Sequence, residues 1–274
     1  MHEIPFAKMN GTGNDFILIN NMSGAYDVAK QPAFVSAVCR RKVSVGADGL
    51  ICLEPSGSCN FAWRFFNADG SEAEMCGNGA RCAARFAVEQ GIAAPELAFE
   101  TRAGIIRAHV EGSMVRVRLS DPGGLETDVR LSVEGNEIEL HCLNTGVPHA
   151  VVFVEELENA PVDRLGHALR FHERFGPEGS NVNFVSQADD NMLHIRTYER
   201  GVEAETLACG TGAVASALIA SVLGRVVLPV DLQTRGGERL RVYADAARAP
   251  FGEVYLEGTT RKVFEGMMCV EAWK

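Results

Sequence analysis

An internal repeat is the feature of this sequence that most constrains its fold. Cys76 and Cys209 lie 133 positions apart, and each begins a similar segment. Met75-Cys76-Gly77-Asn78-Gly79-Ala80 in the first half matches Ala208-Cys209-Gly210-Thr211-Gly212-Ala213 in the second. Further matches at the same spacing are Thr12-Gly13 with Thr145-Gly146, Phe65 with Tyr198, and Glu72 with Glu205. The repeat predicts two similar lobes of ordinary domain size.

Both halves contain many short strand-like runs and few helical ones, which predicts an α+β fold. We expect two pseudo-symmetric lobes, each a curled, mostly antiparallel sheet around a central helix. The helix candidates are Ala33–Arg41, Ala80–Gln90, Val162–Phe171 and Ala213–Leu223. Arg81, Arg85 and Glu89 are expected to keep one face of the second helix in water. We predict an N-terminal lobe over residues 1–121, with the last strand, 263–274, as an optional addition, and a C-terminal lobe over 122–262.

Each of the two cysteines stands directly before a helical run and is followed by glycine. The first turn of a helix leaves backbone N–H groups without partners, and such a site binds a carboxylate readily. The same field lowers the pKa of a thiol, so a thiolate becomes available near neutral pH. Each half therefore offers a base beside a carboxylate site. Cys76 and Cys209 together could remove a proton from one face of an amino-acid α-carbon and return one to the other.

Composition excludes several other classes of protein. The net charge of −10 disfavours nucleic-acid binding, because neutralising phosphates needs a basic surface. No membrane association is expected, since the longest small apolar run, Ala213–Leu223, is too short to span a bilayer. The N-terminal residues lack the pattern of a signal peptide, so a cytoplasmic location is expected.

The remaining cysteines do not indicate a disulfide scaffold or a metal site. The sequence has eight cysteines and no Cys-x-x-Cys motif, so no metal is predicted. Six of them are interpreted as packing residues: Cys39, Cys52, Cys59, Cys82, Cys142 and Cys269. No lysine stands beside a glycine-rich phosphate loop, which disfavours a pyridoxal cofactor. We therefore predict catalysis without any cofactor.

At these residues the sequence resembles the diaminopimelate epimerase family. The matching segments in the first half are Met9-Asn10-Gly11-Thr12-Gly13-Asn14-Asp15-Phe16, Gly46-Ala47-Asp48-Gly49, Phe66-Asn67-Ala68-Asp69-Gly70-Ser71-Glu72 and Cys76-Gly77-Asn78-Gly79-Ala80-Arg81. Those in the second half are Pro148-His149, Ser180-Asn181, Tyr198-Glu199-Arg200-Gly201 and Ala208-Cys209-Gly210-Thr211-Gly212. The resemblance implies a substrate cleft between two lobes and the interconversion of LL- and meso-diaminopimelate, a step toward lysine and peptidoglycan precursors.

The resemblance also implies roles for individual residues. Cys76 and Cys209 would be the acid–base pair. The backbone around Gly77-Asn78 and Gly210-Thr211 would hold the reacting carboxylate. The residues expected to hold the other polar groups of the substrate are Asn14, Asn67, Asn181, Glu199 and Arg200. His149 is expected near the site in a supporting role, as a group that steers a thiol proton or as a hydrogen-bonded core residue.

Two departures from the family pattern affect substrate contacts. Val147 stands before Pro148-His149, where the family commonly has asparagine. The segment from Glu199 to Cys209 is a residue longer than in some members. The expected partners are a small-molecule amino-acid substrate and, as one option, a second copy of the chain in a homodimer.

Two alternative functions stay open at this level. A proline or hydroxyproline racemase uses the same two-thiol logic, although its substrate lacks a second amino-acid group for Glu199 and Arg200 to bind. A redox or metal-binding module using Cys76 and Cys209 is the alternative from another class, since two thiols brought close together could form a reversible disulfide.

Overall fold

The computed structural model describes residues 3–189, 191–245 and 251–274. The chain folds into two compact units. The first comprises the described residues up to Val117 together with Gly258–Lys274, and the second is Arg118–Glu257. The expected lobe boundaries, 121/122 and 262/263, fall a few residues later in the chain. Every helix in the described residues is too short or too polar to cross a bilayer.

The first unit is built mainly from strands. They are β1 (Ile4–Gly11), β2 (Asn14–Asn20), β3 (Gly49–Glu54), β4 (Phe61–Asn67), β5 (Glu72–Ala73), β6 (Glu96–Thr101), β7 (Gly104–Glu111) and β8 (Met114–Arg118). Its helices are α1 (Pro32–Cys39) and α2 (Gly77–Glu89), and Asp27–Lys30 and Val270–Trp273 form 3-10 turns.

The second unit repeats this order of elements. Its strands are β9 (Gly123–Val133), β10 (Asn136–Asn144), β11 (Pro148–Phe153), β12 (Asn181–Asp189), β13 (Met192–Glu199), β14 (Ala204–Thr206), β15 (Val230–Gln233) and β16 (Arg239–Tyr243), and β17 (Tyr255–Met268) starts in it and continues into the first unit. Its helices are α3 (Val162–Arg170) and α4 (Gly210–Val222), and Leu157–Asn159 and Glu173–Phe175 form 3-10 turns.

The sheet of the first unit closes on itself. Strand pairing runs β17–β1–β2–β3–β4–β6–β7–β8 and returns to β17. The pairs β2–β3 and β4–β6 are parallel, whereas β1 pairs antiparallel with β17 and β2, as do β3 with β4, β6 with β7 and β7 with β8. Helix α2 packs against β1, β2, β3 and β7, and most of its side chains are buried, so it forms the centre of this curled sheet.

The second unit has the same strand order. Pairing runs β9–β10–β11–β12–β13–β15–β16, with β11–β12 and β13–β15 as its parallel pairs. Helix α4 packs against six of these strands and consists almost entirely of small and branched apolar residues, as expected for a helix buried on all sides. The predicted α+β fold, with a curled sheet around a central helix in each half, is confirmed. All four predicted helices are present.

A repeated ion pair makes the correspondence of the two units specific. Arg64 on β4 binds both carboxylate oxygens of Glu72 on β5. Arg196 on β13 binds Glu205 on β14 in the same way, through two N–O distances of 2.7 Å.

The strand registers correct one detail of the predicted repeat. Phe66 is paired with Glu72, and Tyr198 is paired with Glu205, so Tyr198 corresponds to Phe66 and not to Phe65. Residues of β5 and the two cysteines lie 133 positions from their counterparts in the second unit. Residues of β3 and β4 lie one position closer to theirs. The extra residue of the second unit lies in the turn between β13 and β14, where Glu203 has a φ of 58°.

Candidate active site

Cys76 occupies the N-cap position of α2. Its extended backbone (φ −148°, ψ 116°) directs the chain into the helix, and the thiol accepts a hydrogen bond from the Gly79 N–H at 3.4 Å. The side chain is partly exposed. Gly77 and Asn78 supply the first N–H groups of the helix, which have no carbonyl partner within it. The predicted combination of a thiol with free helix N–H groups is therefore present in the first unit.

A partly buried hydrogen-bond network lies beside this helix start. Asn78 donates to Asn14 Oδ1 at 2.8 Å, and Asn14 donates to Asp48 at 3.1 Å. Arg81 donates to Asn78 Oδ1 at 2.6 Å and to Thr12 Oγ1 at 2.7 Å. The network orients the amides of Asn14 and Asn78, two of the predicted substrate-binding residues.

The position of Arg81 differs from the sequence prediction. Arg85 and Glu89 form an ion pair at 2.8 Å on the partly exposed side of α2, as a solvated face requires. Arg81 is fully buried. Helical spacing alone assigned Arg81 to the wet face, but its guanidinium donates to oxygen acceptors of Gly77, Asn78 and Thr12 inside the unit, which reduces the cost of burial.

Asn67 lies at the end of β4, where the chain turns back. Its amide donates to Ser71 Oγ at 3.1 Å, and the side chain is exposed. The residue therefore has a role in the turn and also presents polar atoms to solvent.

Cys209 occupies the N-cap of α4, with an extended backbone like that of Cys76 (φ −125°, ψ 110°). Its thiol lies 3.5 Å from Thr211 Oγ1 and is buried. Burial, together with the nearby Glu199 carboxylate, raises the pKa of this thiol to about 12, although hydrogen bonds from Thr211 and Gly212 act to lower it. The expectation of a lowered pKa was wrong for Cys209 because burial outweighs the N–H groups of Gly210–Gly212 in this environment.

Asn181, Glu199 and Arg200 lie together at the ends of β12 and β13. Asn181 Oδ1 accepts a hydrogen bond from the Arg200 N–H at 2.9 Å, and its amide donates to Pro148 O at 3.2 Å. Burial raises the pKa of the Glu199 carboxyl above its usual value. The Arg200 guanidinium is partly exposed and lies 3.9 Å from the exposed Glu178 carboxylate. Asn181 therefore positions the backbone of Arg200, a role that its sequence pattern did not reveal.

His149 is buried on β11 of the same unit. Its Nδ1 lies 3.1 Å from the amide nitrogen of Asn183. Burial lowers the pKa of His149 to about 3, and the positive charge of Arg200 acts in the same direction. The ring is thus neutral at physiological pH.

Asn183 was not among the residues singled out from the sequence. It is fully buried, and its amide also donates to Ala150 O at 3.1 Å. The Asn181-Val182-Asn183 pattern carried a usable signal, since alternate residues of a strand face the same side of a sheet.

Val147 offers no amide at the position where the family commonly has asparagine. Its backbone carbonyl accepts a hydrogen bond from the Thr145 N–H at 3.2 Å. Thr145 in turn donates from Oγ1 to the Thr211 carbonyl at 3.3 Å, which ties this turn to the start of α4. These contacts do not involve the Val147 side chain, so the local structure tolerates valine.

One group among the described residues has the composition of a metal site. Asp128, Glu139 and His141 bring ligand atoms within 4.8 Å of one another on β9 and β10. However, His141 Nδ1 accepts a hydrogen bond from the Asp128 N–H at 3.1 Å, which places the proton of the neutral ring on Nε2 and leaves no nitrogen lone pair free for a metal. None of the predicted site residues belongs to this group.

Known proteins resemble this chain over almost its whole length. The diaminopimelate epimerase family model matches residues 6–122 and 141–263. The diaminopimelate epimerase of Aquifex aeolicus (strain VF5) is 47% identical over 279 residues, which cover 97% of this chain and 98% of that protein. The diaminopimelate epimerase of Hydrogenobaculum sp. (strain Y04AAS1) is 45% identical over 276 residues, covering 96% and 98% of the two chains.

Solved structures with low sequence identity share the fold. A phenazine biosynthesis protein of the PhzF family from Bacillus anthracis has a TM-score of 0.74 at 16% identity, over 98% of this chain and 100% of that one. A hydroxyproline epimerase from Agrobacterium vitis has a TM-score of 0.67 at 18% identity, over 99% and 94% of the two chains. The family match and the identity to the curated relatives give a more specific result than the fold: this chain belongs to the diaminopimelate epimerase family.

Proposed function

We propose that this protein interconverts LL- and meso-diaminopimelate, without a cofactor, by proton transfer involving Cys76 and Cys209. The observation that carries the proposal is the repeated helix start: each unit places a cysteine at the N-cap of its central helix. Family membership supports the same reaction, since the curated relatives are diaminopimelate epimerases.

The proposed chemistry needs one thiolate and one thiol. The thiolate takes the α-proton, the thiol of the other cysteine delivers a proton to the opposite face, and the configuration at that carbon is inverted. The charge of the carbanion spreads into the α-carboxylate, which the N–H groups at Gly77-Asn78 and Gly210-Thr211 would hold and stabilise. Because the pKa of Cys209 is raised, Cys209 is the thiol of the free protein.

The remaining predicted residues would bind the distal amino-acid group. A guanidinium suits a carboxylate, so Arg200 is assigned to the distal carboxylate. Carboxylate and amide oxygens suit an ammonium, which assigns Glu199, Asn67 and Asn14 to the amino groups. Asn181 would contribute mainly by holding Arg200 in place, as its hydrogen bond to the Arg200 N–H indicates.

The test is isotope exchange and inversion of LL-diaminopimelate in deuterated water. We expect deuterium at the α-carbon and formation of the meso isomer. Cys76→Ala and Cys209→Ala should each lower kcat by about 10²–10⁴-fold, the usual contribution of a general acid or base. Cys59→Ala is the matched control, because Cys59 lies outside the site, and it should keep the parent rate.

Proline offered under the same conditions separates the alternative substrate class. Deuterium entering proline but not diaminopimelate would contradict the proposed substrate while leaving the two-thiol chemistry intact. Parent-like inversion by Cys76→Ala would contradict the two-thiol chemistry itself.

We also propose that the chain forms a homodimer through the exposed part of β17. Val263, Phe264 and Met267 are 59%, 47% and 54% exposed on this strand, an apolar group of the kind found at protein interfaces. The Phe264 ring packs edge-on against Phe6, with the ring centroids 5.8 Å apart.

The predicted cytoplasmic location stays a prediction. The proposed mechanism supports it, because Cys76 and Cys209 must remain reduced and thiols are kept reduced in the cytosol.

A further inference from the structure

A group of three buried polar side chains in the second unit occupies places that are apolar in the first. The β2–β3 register joins Phe16 to Gly49, and the β11–β12 register joins His149 to Asn181, so His149 holds the place of Phe16. Both side chains are buried.

The same comparison applies to the next two strands. Ile51 pairs with Phe65 in the first unit, and Asn183 pairs with Thr197 in the second. Ile51 lies against Gly79 and Asn183 lies against the equivalent Gly212, which confirms that the positions correspond. The first unit therefore shows that apolar side chains can fill these positions of the fold. Burying polar side chains there costs free energy that apolar side chains do not cost, and hydrogen bonds only offset that cost, so apolar packing does not explain these three residues.

The orientation of the Asn183 amide follows from its neighbours. The atom 3.1 Å from the Ala150 carbonyl must be the amide nitrogen, because a carbonyl oxygen can only accept a hydrogen bond. Asn183 Oδ1 then faces the Thr197 hydroxyl, which donates to it at 2.9 Å. Both ends of the amide have partners that suit this orientation.

The amide orientation determines the tautomer of His149. The same Asn183 nitrogen lies 3.1 Å from His149 Nδ1, and it carries a second hydrogen directed there. Nδ1 must therefore accept, and the proton of the neutral ring lies on Nε2. Nε2 is buried, and among the described residues it has no hydrogen-bond partner.

We propose that Asn183 is a positioning residue that fixes His149 in the Nε2–H tautomer, so that the ring acts as a hydrogen-bond donor to an anion and not as a base. The acceptor rests on the proposed function: it is a substrate carboxylate or a cysteine thiolate, the two anions of that reaction. The burial of the ring, which lowers the pKa of His149, supports the neutral state. Asn183 lies against Gly212 at the start of α4, so the network is anchored beside the helix that Cys209 caps.

The test is a long-range ¹H–¹⁵N NMR spectrum of the full-length protein labelled with ¹⁵N-histidine, which distinguishes the two neutral tautomers and the cation. The His149 signals are assigned by their loss in His149→Gln. We expect the parent protein to show the Nε2–H tautomer, without titration between pH ~5.5 and ~8, where an ordinary histidine changes charge.

Two variants change the group that faces Nδ1. In Asn183→Asp the carboxylate can only accept, so we expect the opposite tautomer, with the proton on Nδ1. Asn183→Ile, which introduces the residue of the first unit, removes the amide and should leave a mixture of tautomers. Thr197→Ser is the control, because it retains the hydroxyl that orients Asn183 and should keep the parent spectrum.

Kinetics of the same variants separate the two acceptors. Loss of the Nε2–H donor in the Asn183 variants should reduce epimerisation on the order of 10- to 100-fold, by analogy with the loss of a partner that orients a metal-binding histidine. A rise in KM would identify the substrate carboxylate, and a fall in kcat would identify the thiolate.

The spectra decide the proposal independently of catalysis. An Nδ1–H tautomer in the parent, a histidine that titrates near pH ~6.5, or an unchanged Nε2–H pattern in both Asn183 variants would overturn it. Absence of epimerase activity together with the expected tautomers would contradict the proposed function and leave the role of Asn183 standing.

Discussion

At the scale of the residue, chemical identity alone does not determine protonation. Burial raises the pKa of Cys39 and Cys82 to about 12, and these thiols lie among packed side chains. Cys209 reaches a similar pKa although it caps a helix. A helix start supplies N–H groups but does not by itself produce a thiolate, because the loss of hydration on burial acts against the charged form.

This difference predicts the reactivity of Cys209 toward alkylation. In the free protein at pH ~7.5 we expect iodoacetamide to modify Cys209 far more slowly than the exposed Cys269, because the thiolate is the nucleophile and a raised pKa makes it scarce. The rate at Cys209 should keep rising as the pH is increased toward the pKa of about 12. Mass spectrometry of the modified peptides measures both rates, and equal labelling at neutral pH would contradict the buried thiol.

The lowered pKa of His149 predicts a loss of stability in mild acid. The folded pKa is about 3, below the value of about 6.5 of an unfolded chain, so the unfolded state binds more protons between these values. The contribution of neutral His149 to the free energy of unfolding is present above pH ~6.5 and is lost as the pH falls. At pH ~5 the loss is roughly 1–2 kcal/mol. His149→Gln does not titrate and should show a shallower fall.

Urea unfolding of both proteins at pH ~7 and ~5 measures this effect. The comparison depends on the difference between the two pH values in each protein, so it is insensitive to any constant cost of the substitution. An equal loss of unfolding free energy in both proteins between the two pH values would show that His149 does not remain neutral on folding.

At the scale of the element, the two central helices begin alike but pack differently. Gly79 of α2 faces the end of the Ile51 side chain, whereas Gly212 of α4 faces the hydrogen-bonded amide of Asn183. An added methyl group therefore meets a flexible apolar atom in one unit and a fixed polar atom in the other.

We expect Gly212→Ala to destabilise the protein by about 1–3 kcal/mol, because its Cβ would overlap with Asn183 Oδ1 and disturb the hydrogen bonds of that amide. The matched variant Gly79→Ala places its Cβ 3.1 Å from Ile51 Cδ1, which can move, and alanine favours a helix over glycine by about 0.5–1 kcal/mol. Its net effect should be small. Thermal unfolding compares them, and a larger loss in Gly79→Ala would contradict this packing.

All four helices could be predicted from the sequence, because apolar runs and glycine-flanked starts are local signals. The one-residue shift between β4 and β13 could not, since strand register depends on pairing with residues that are distant in the chain. The role of Asn181 in positioning Arg200 escaped for the same reason: the Arg200 N–H lies directly after the neighbouring strand.

At the scale of the whole molecule, the duplicated fold carries unequal polar groups. The Arg64–Glu72 and Arg196–Glu205 ion pairs are common to both units and belong to the shared architecture. The buried network of Arg81 belongs to the first unit, and that of Asn183 to the second. The two units, although alike in strand order, therefore place different polar groups around their central helices.

The proposed homodimer gives a prediction at this scale. Phe264→Glu places a charge among the apolar side chains of β17, so we expect it to shift the protein from dimer to monomer in analytical ultracentrifugation. Val43→Glu is the control, because Val43 is also exposed but lies outside β17. A monomeric parent protein, or a dimer that Phe264→Glu leaves unchanged, would contradict an interface at this strand.

By itself, the sequence determined the duplication, the family, the four helices and the positions of Cys76 and Cys209, because each of these depends on residue types at short or regular spacing. The tertiary structure alone decided that Arg81 is buried, that burial raises the pKa of Cys209 and that the Asn183 amide lies against His149. Hydration, electric field and hydrogen-bond partners at a side chain come from strands far apart in the sequence, and they are defined only once the chain has folded.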